Sequence, residues 1–194
     1  MQMSANKIKY GLKSLYYAKA TFDDDGNVSY ATPVAMPGAR SLSISAEGEP
    51  ENWYADNIVY VVLNNNSGYT GDLELALIPE SFLSDIMNES LDDNGVLAEN
   101  TEATLEHFAL LFQFEGDQKA TRHVLYNCTA SRPDIEGETI EDSKEPQTEK
   151  LSITAAALAN GYVKAKTTST TSDAVYNAWF TSVYKDFFDT TEEA

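Results

Sequence analysis

The sequence predicts a mainly β chain of sandwich or barrel type, with one short helix inserted midway and a closing segment at the C-terminus. Three observations carry this. Apolar residues recur mostly with a period of two, the signature of half-buried strands. The apolar segments are separated by Asp-, Asn- and Gly-rich turns. A single segment, opening at Pro79, shifts to helical spacing.

The elements follow in order. Residues 8–22 are rich in Tyr, Leu and Ile and end at Asp23-Asp24-Asp25-Gly26-Asn27. Residues 28–36 follow, so the pair reads as a hairpin turning at Gly26. Pro37-Gly38 breaks it. Residues 40–46 alternate, with Leu42, Ile44 and Ala46 on one face and Ser41, Ser43 and Ser45 on the other. Residues 47–56 are expected to form a polar loop with an aromatic end, Trp53-Tyr54. Residues 57–63 are almost continuously apolar and rich in Val and Ile, which predicts a strand covered on both faces. Residues 64–71 read as loop and 72–78 as strand.

A helix is expected over residues 79–89. Proline suits the first helical position, and Glu80 sits well near the positive end of the dipole. Phe82, Leu83, Ile86 and Met87 form its apolar stripe. Phe108, Leu110, Phe112 and Phe114 then alternate into a turn at Gly116-Asp117, and residues 119–130 return as the partner strand. Residues 133–150 hold seven acids and two prolines and read as an acidic surface loop. Residues 151–158 and 162–168 predict a hairpin around Asn160-Gly161. Asp173 is placed to cap a closing helix with Val175, Trp179 and Val183, although the same residues also fit a strand.

At 194 residues with 42% hydrophobic content, the chain is expected to form one domain, residues 1–194, with a core of its own. No run of about eighteen apolar residues is present, so no membrane-spanning helix is expected. The first residues lack the apolar core and cleavage site of a secretory signal, which predicts folding in a cytoplasm. Cys128 is the only cysteine, so no internal disulfide forms. The net charge of −18 is unevenly spread. The first twenty residues hold Lys7, Lys9, Lys13 and Lys19 and no acid, whereas residues 21–118 carry nineteen acids against Arg40 alone. Such a chain lacks the clustered cations that phosphate binding requires.

Motifs for chemistry are missing. There is no Gly-x-Ser-x-Gly elbow, Walker loop or dinucleotide fingerprint. Cys128 sits in an alternating strand and reads as a core residue. His107 and His123 flank the phenylalanine hairpin and are near enough in sequence to approach across it, but no zinc-type spacing supports them. The turns at Gly26 and Gly95 fail as EF-hand loops, because the twelfth position holds Thr32 or Thr101 instead of glutamate. No catalytic residue, metal or cofactor is expected.

Four segments in order carry a resemblance: NKIKYGLKSLYYAKAT, PVAMPGARSLSISAEGE, WYADNIVYVV and NSGYTGDLELALIP. Together they resemble the major tail protein, or tail tube protein, of long-tailed siphophages of Gram-positive bacteria. The match covers most of residues 6–90 and is weaker in the second half, which ends in VYNAWFTSVY. The resemblance implies a β-sandwich with a flanking helix, whose copies form hexameric rings that stack into a hollow tube in the virion, built in the host cytoplasm. It implies partners: further copies of itself, the tape-measure protein, and the tail terminator and distal tail proteins. DNA would pass through an acidic lumen without specific binding. On this reading Glu47, Glu49, Glu51, Trp53, Tyr54 and Asp56 form an inter-ring contact loop. Lys7, Lys9 and Lys13 are the expected basic contacts of the N-terminal strand, and Asp72, Glu74, Glu106 and Glu115 are the lumen candidates. A competing reading is a β-sandwich adhesion or carbohydrate-binding module, with Trp53, Tyr54 and Tyr69 as an aromatic platform.

Overall fold

The computed structural model describes residues 5–139 and 146–187. The first segment forms one long strand, β1 (Lys9–Phe22). It turns at Gly26, whose φ of 81° only glycine takes at no steric cost, into β2 (Val28–Tyr30). Pro33 stops β2 from continuing, because it has no N–H to donate. The chain re-pairs with β1 further along as β3 (Val34–Ala35). The serine-alternating segment is β4 (Ala39–Glu47).

The next region departs from the sequence reading. Residues 47–56 are not a loop: β5 (Glu51–Ala55) and β6 (Ile58–Leu63) form a two-stranded hairpin. Asp56 and Asn57 take φ values of 51° and 61°, the two left-handed residues of a type I′ turn. β7 (Gly68–Leu75) starts four residues earlier than expected, because Gly68 and Gly71 lie inside the strand. A Cβ on Gly71 would stand 1.9 Å from the Ser43 carbonyl oxygen of β4, so this ladder closes only over glycine.

Helix α1 (Glu80–Asp85) is shorter than the predicted 79–89, and Pro79 stands at its N-cap rather than inside it. The chain reverses at Asn88, with φ 55°. A small pair, β8 (Ser90–Leu91) and β9 (Leu97–Ala98), flanks the Asp92–Gly95 turn. The phenylalanine hairpin is β10 (Phe108–Gly116) and β11 (Thr121–Ala130), as expected. β12 (Glu149–Ala156) and β13 (Lys164–Lys166) do not pair with each other around Asn160-Gly161. Both lie along the same edge of β11, β12 on residues 127–130 and β13 on residues 123–125. The turn at Gly161 exists, but it closes an excursion between two pieces of one strand line. Helix α2 (Asp173–Ala178) is capped by Ser172, one residue before the predicted Asp173. Residues 140–145 of the expected acidic loop lie outside the described residues.

One nine-stranded antiparallel sheet organises the chain, in the order β2-β1-β10-β11-β12-β7-β4, with β3 on β1 and β13 on β11. It curls until β4 comes back against β1. The concave side buries Tyr17, Leu73, Leu75, Phe108, Leu110, Phe112 and Leu151, closed by Phe82 of α1 and by Ile86 at its C-cap. The other side buries Ala18, Ala109, Leu111, Val124 and Tyr126 under Leu158, Trp179 and Val183. β10 is therefore covered on both faces along its first five residues. Cys128 is fully buried, and burial pushes its thiol up to about 12.

Candidate assembly surface

The β5–β6 hairpin stands outside both cores. Trp53, Tyr54 and all six residues of β6 are between 40% and 64% exposed. This corrects the expectation that residues 57–63 are covered on both faces: the strand is real, but its own chain covers neither face. Among the described residues, the one ring contact it makes is within the hairpin, Trp53 edge-on to Tyr60 at 5.8 Å. An isolated two-stranded hairpin is marginal in water, and contiguous exposed apolar surface marks a place where another molecule binds. Glu47 at its root accepts a hydrogen bond from Thr70 Oγ1 at 2.5 Å. Glu49, Glu51 and Asp56 make no ion pair among the described residues. The hairpin therefore combines four acids, no base and eight exposed apolar side chains.

The N-terminal lysines sit at the end of the sheet where β10 turns into β11, since Lys9 pairs with Gly116 in register. β1 is irregular here: Gly11 and Ser14 have positive φ, and the register slips beside each. Lys9 Nζ stands 4.6 Å from the Phe114 ring, and Lys13 pairs with Glu115 at 3.3 Å. Asp117 accepts from the Lys7 backbone N–H at 2.8 Å, which holds the carboxyl below its usual range. Lys13 is thus already engaged within its own chain. Lys7 and Lys9 make no ion pair among the described residues.

The four lumen candidates occupy three places, Asp72 and Glu74 on β7 and Glu106 and Glu115 at opposite ends of β10, and each faces a base. Asp72 and Glu74 project from β7 onto a surface of Ser41, Ser43 and Ser152. Asp72 accepts from Lys150 at 2.9 Å and from Ser152 at 2.8 Å. Glu74 accepts from Thr148 at 2.6 Å, from Ser41 and from Arg40, both at 2.9 Å. These bonds hold both carboxyls below the usual range, led by Lys150 for Asp72 and by Thr148 for Glu74. Glu106 meets Lys19 at 3.2 Å, the first cause of its lowered pKa, and Glu115 meets Lys13. None of the four is a bare charge.

The histidines have separate surroundings. His107 Nδ1 lies 2.7 Å from the Asn127 side-chain oxygen, with its ring against Phe22. His123 stacks on Phe112 at 5.1 Å. Among the described residues, no group of three His, Cys, Asp or Glu side chains could hold a metal. The Asp23 and Asp92 carboxylates are taken up by the backbone N–H groups of their own turns, at Asn27 and Val96.

The model of the family described as "Phage tail tube protein" matches residues 1–193. The chain belongs to the phage tail tube proteins. It is a structural subunit of a phage tail. No curated protein matches the chain. Among solved structures, it is similar to the anti-feeding prophage cap, described as the AFP tube terminating cap, determined by cryo-EM. That match has 9% identity over 83% of this chain and 93% of that chain, with a TM-score of 0.47. It is also similar to a chain in the six-fold symmetrised cryo-EM structure of the anti-feeding prophage baseplate. There the identity is 13% over 87% of this chain and 100% of that chain, with a TM-score of 0.46.

Sequence reading took residues 47–56 of this tail tube protein for a loop, whereas the structure makes part of a hairpin of them. The missed signal was Asp56-Asn57, a dipeptide suited to a two-residue turn, between two segments of strand length. Nor do the three aromatics proposed for a carbohydrate platform converge. Trp53 and Tyr54 are consecutive in β5 and so face opposite sides, and Tyr69 lies in β7 beneath Lys164, 4.3 Å from its ring centre.

Proposed function

We propose that this chain is the tube subunit itself: six copies close a ring, and rings stack into a hollow conduit for DNA and, during assembly, for the tape-measure protein. The role is structural, with no catalytic step. The observation that carries it is the β5–β6 hairpin, apolar on both faces and uncovered by its own chain. A subunit made to function alone would gain nothing from exposing Trp53, Tyr54 and the whole of β6, whereas a second copy would bury them. Two further features support the reading. Among the described residues, β4 has a hydrogen-bonded neighbour strand on one side alone, and so has the Lys9–Ser14 part of β1, before the Leu15 carbonyl accepts from Met36 N–H. Such edges are a hazard for a monomer and are removed when strands pair across subunits.

The hairpin, with Glu47, Glu49, Glu51, Trp53, Tyr54 and Asp56, is the proposed inter-ring contact. The outward face of β4, β7 and β12 is the proposed conduit wall. Its carboxylates Asp72 and Glu74 are balanced by Lys150 and Arg40 and set among hydroxyls. Such a wall gives a passing phosphate backbone no cluster of free cations to stick to, so DNA would slide without specific binding. The ends of the tube would meet terminator and distal tail proteins, in the virion, after assembly in the host cytoplasm.

Negative-stain microscopy of the purified full-length chain tests this. Six-fold rings or tubes are expected, and the double variant Trp53→Ser, Tyr60→Ser should keep the fold and lose the tubes. Monomers that persist at high concentration would sink the proposal.

A further inference from the structure

The two ends of the sheet present different side chains. At the β10–β11 turn, Lys9 sits over Phe114, whose ring meets His123, and His123 pairs in register with Lys166. Lys164 lies beside them on the Tyr69 hydroxyl, and Lys119 is held over the Tyr176 ring at 3.9 Å. With Lys7, five lysines gather at this end, where Asp173 takes up Lys119, Glu115 takes up Lys13 and Asp117 accepts from the Lys7 backbone, leaving the Lys7 and Lys9 ammonium groups without an ion pair among the described residues. Ile8 and Tyr10 alternate with them and are more than half exposed. The segment Lys7–Tyr10 thus presents lysine and apolar side chains in turn.

The opposite end carries a groove of about 300 Å³, where β7 runs into α1 and the chain approaches β10. Its floor is apolar: Ile78, Leu83, Met87 and Leu105. Its rim is acidic: Glu89, Glu99, Asp134, Glu136 and Glu149. Of the two bases on the rim, Arg132 is paired with Glu99 at 2.7 Å and Lys150 with Asp72. β10 alone separates the two ends by about 27 Å at strand rise.

We propose that the groove is a docking site for a second copy of this chain, and that its occupant is the Lys7–Tyr10 segment of that copy. Ile8 and Tyr10 cover the apolar floor, and Lys7 and Lys9 meet the acids of the rim. The match is head to tail, so it repeats along an axis without closing and gives the stack its direction. Charge selects this occupant over the β5–β6 hairpin, which brings four acids and no base to an acidic rim. It also redirects the lysines. They share their end of the sheet with the hairpin root, through Lys164 on Tyr69, and so face the far end of the next copy. The proposal rests on the reading of the chain as a stacking tube subunit.

The test reverses each end separately and then together, in the full-length protein. Lys7→Glu with Lys9→Glu should raise the protein concentration needed for tubes about tenfold, the effect of two exposed pairs turned repulsive. Glu89→Lys with Glu136→Lys should do the same; neither glutamate is in an ion pair among the described residues. The four changes in one chain restore complementarity and should bring the concentration back to within about threefold of wild type. Thermal unfolding of each variant shows that the fold is kept, and Lys7→Gln with Lys9→Gln gives a milder version if a reversal misfolds. Wild-type tubes together with a lysine variant that assembles normally would overturn the docking while leaving the tube reading intact. A fourfold variant no better than either double would overturn it equally. Failure of the wild type to form any ring or tube would instead remove the reading beneath it.

Discussion

At the scale of single residues, His123 shows most directly how surroundings set chemistry. Its ring is stacked on Phe112, and burial comes first in lowering its pKa from the ordinary 6.5 to about 4, with Lys166, Lys9 and Lys164 adding to the effect. An unfolded chain takes up a proton at this position below pH 6.5, whereas the folded chain stays neutral until about pH 4. Stability is therefore lost as pH falls through that window. The loss is about 1 kcal/mol between pH 6.5 and 5 once solvent screening is allowed for. The acids whose pKa is lowered, such as Asp72, Glu74 and Glu106, act below this range, because their stabilising charge is lost only as pH falls past ordinary carboxylate values. Thermal unfolding at pH 7 and pH 5 should show a drop for wild type and a clearly smaller one for His123→Phe, which keeps the stack. An equal drop in both would refute the assignment. None of this was legible in the sequence, where the histidines gave only a spacing.

At the scale of elements, the C-terminal segment acts as a strap over the back of the sheet. Ser172 caps α2 by accepting from Val175 N–H, and Trp179 then enters the second core with its indole N–H donating to the His123 carbonyl at 3.3 Å. Arg122 is held between the Tyr176 and Phe180 rings, at 3.8 and 4.9 Å, with its Nε donating to Gln113 at 3.0 Å. Trp179→Ala should cost about 3–5 kcal/mol. That corresponds to a Tm lower by roughly 10 °C. Calorimetry giving less than 1 kcal/mol would show that the strap is ornamental. Elements whose pattern serves their own core were legible: β10, β11, β4 and the Phe82–Ile86 stripe of α1 all lie where the periodicity put them. Elements shaped by long-range partners were not. β12 and β13 share an edge of β11 in place of pairing around Asn160-Gly161, and no local signal reports which neighbour a strand will find.

At the scale of the whole molecule, β1 pairs with β10, joining residues about a hundred positions apart. The edge ladder β4–β7, in turn, is joined to β1 by strand pairing through β12, β11 and β10. Loop closure over such distances must precede the contacts that reward it. Refolding from denaturant, followed by circular dichroism, is expected on a scale of milliseconds to seconds or slower, and a microsecond phase carrying the full amplitude would contradict this topology. The same scale explains why apolar content misled at β6. Sequence reading assumes that an apolar run is buried by its own chain, and the proposed assembly would defer part of that burial to a neighbour.

The chain has two tryptophans, and the fold gives them different surroundings. Trp179 is 3% exposed beneath the strap, whereas Trp53 is 56% exposed on the hairpin. One indole therefore becomes dry when the chain folds, and the other, on the proposed assembly, would do so only when chains meet. With Trp179 replaced by phenylalanine, the emission of Trp53 would shift to shorter wavelength as copies associate and remain unshifted in dilute monomer. On the proposed assembly, Trp53 would serve as a built-in optical gauge of polymerisation, with no label needed.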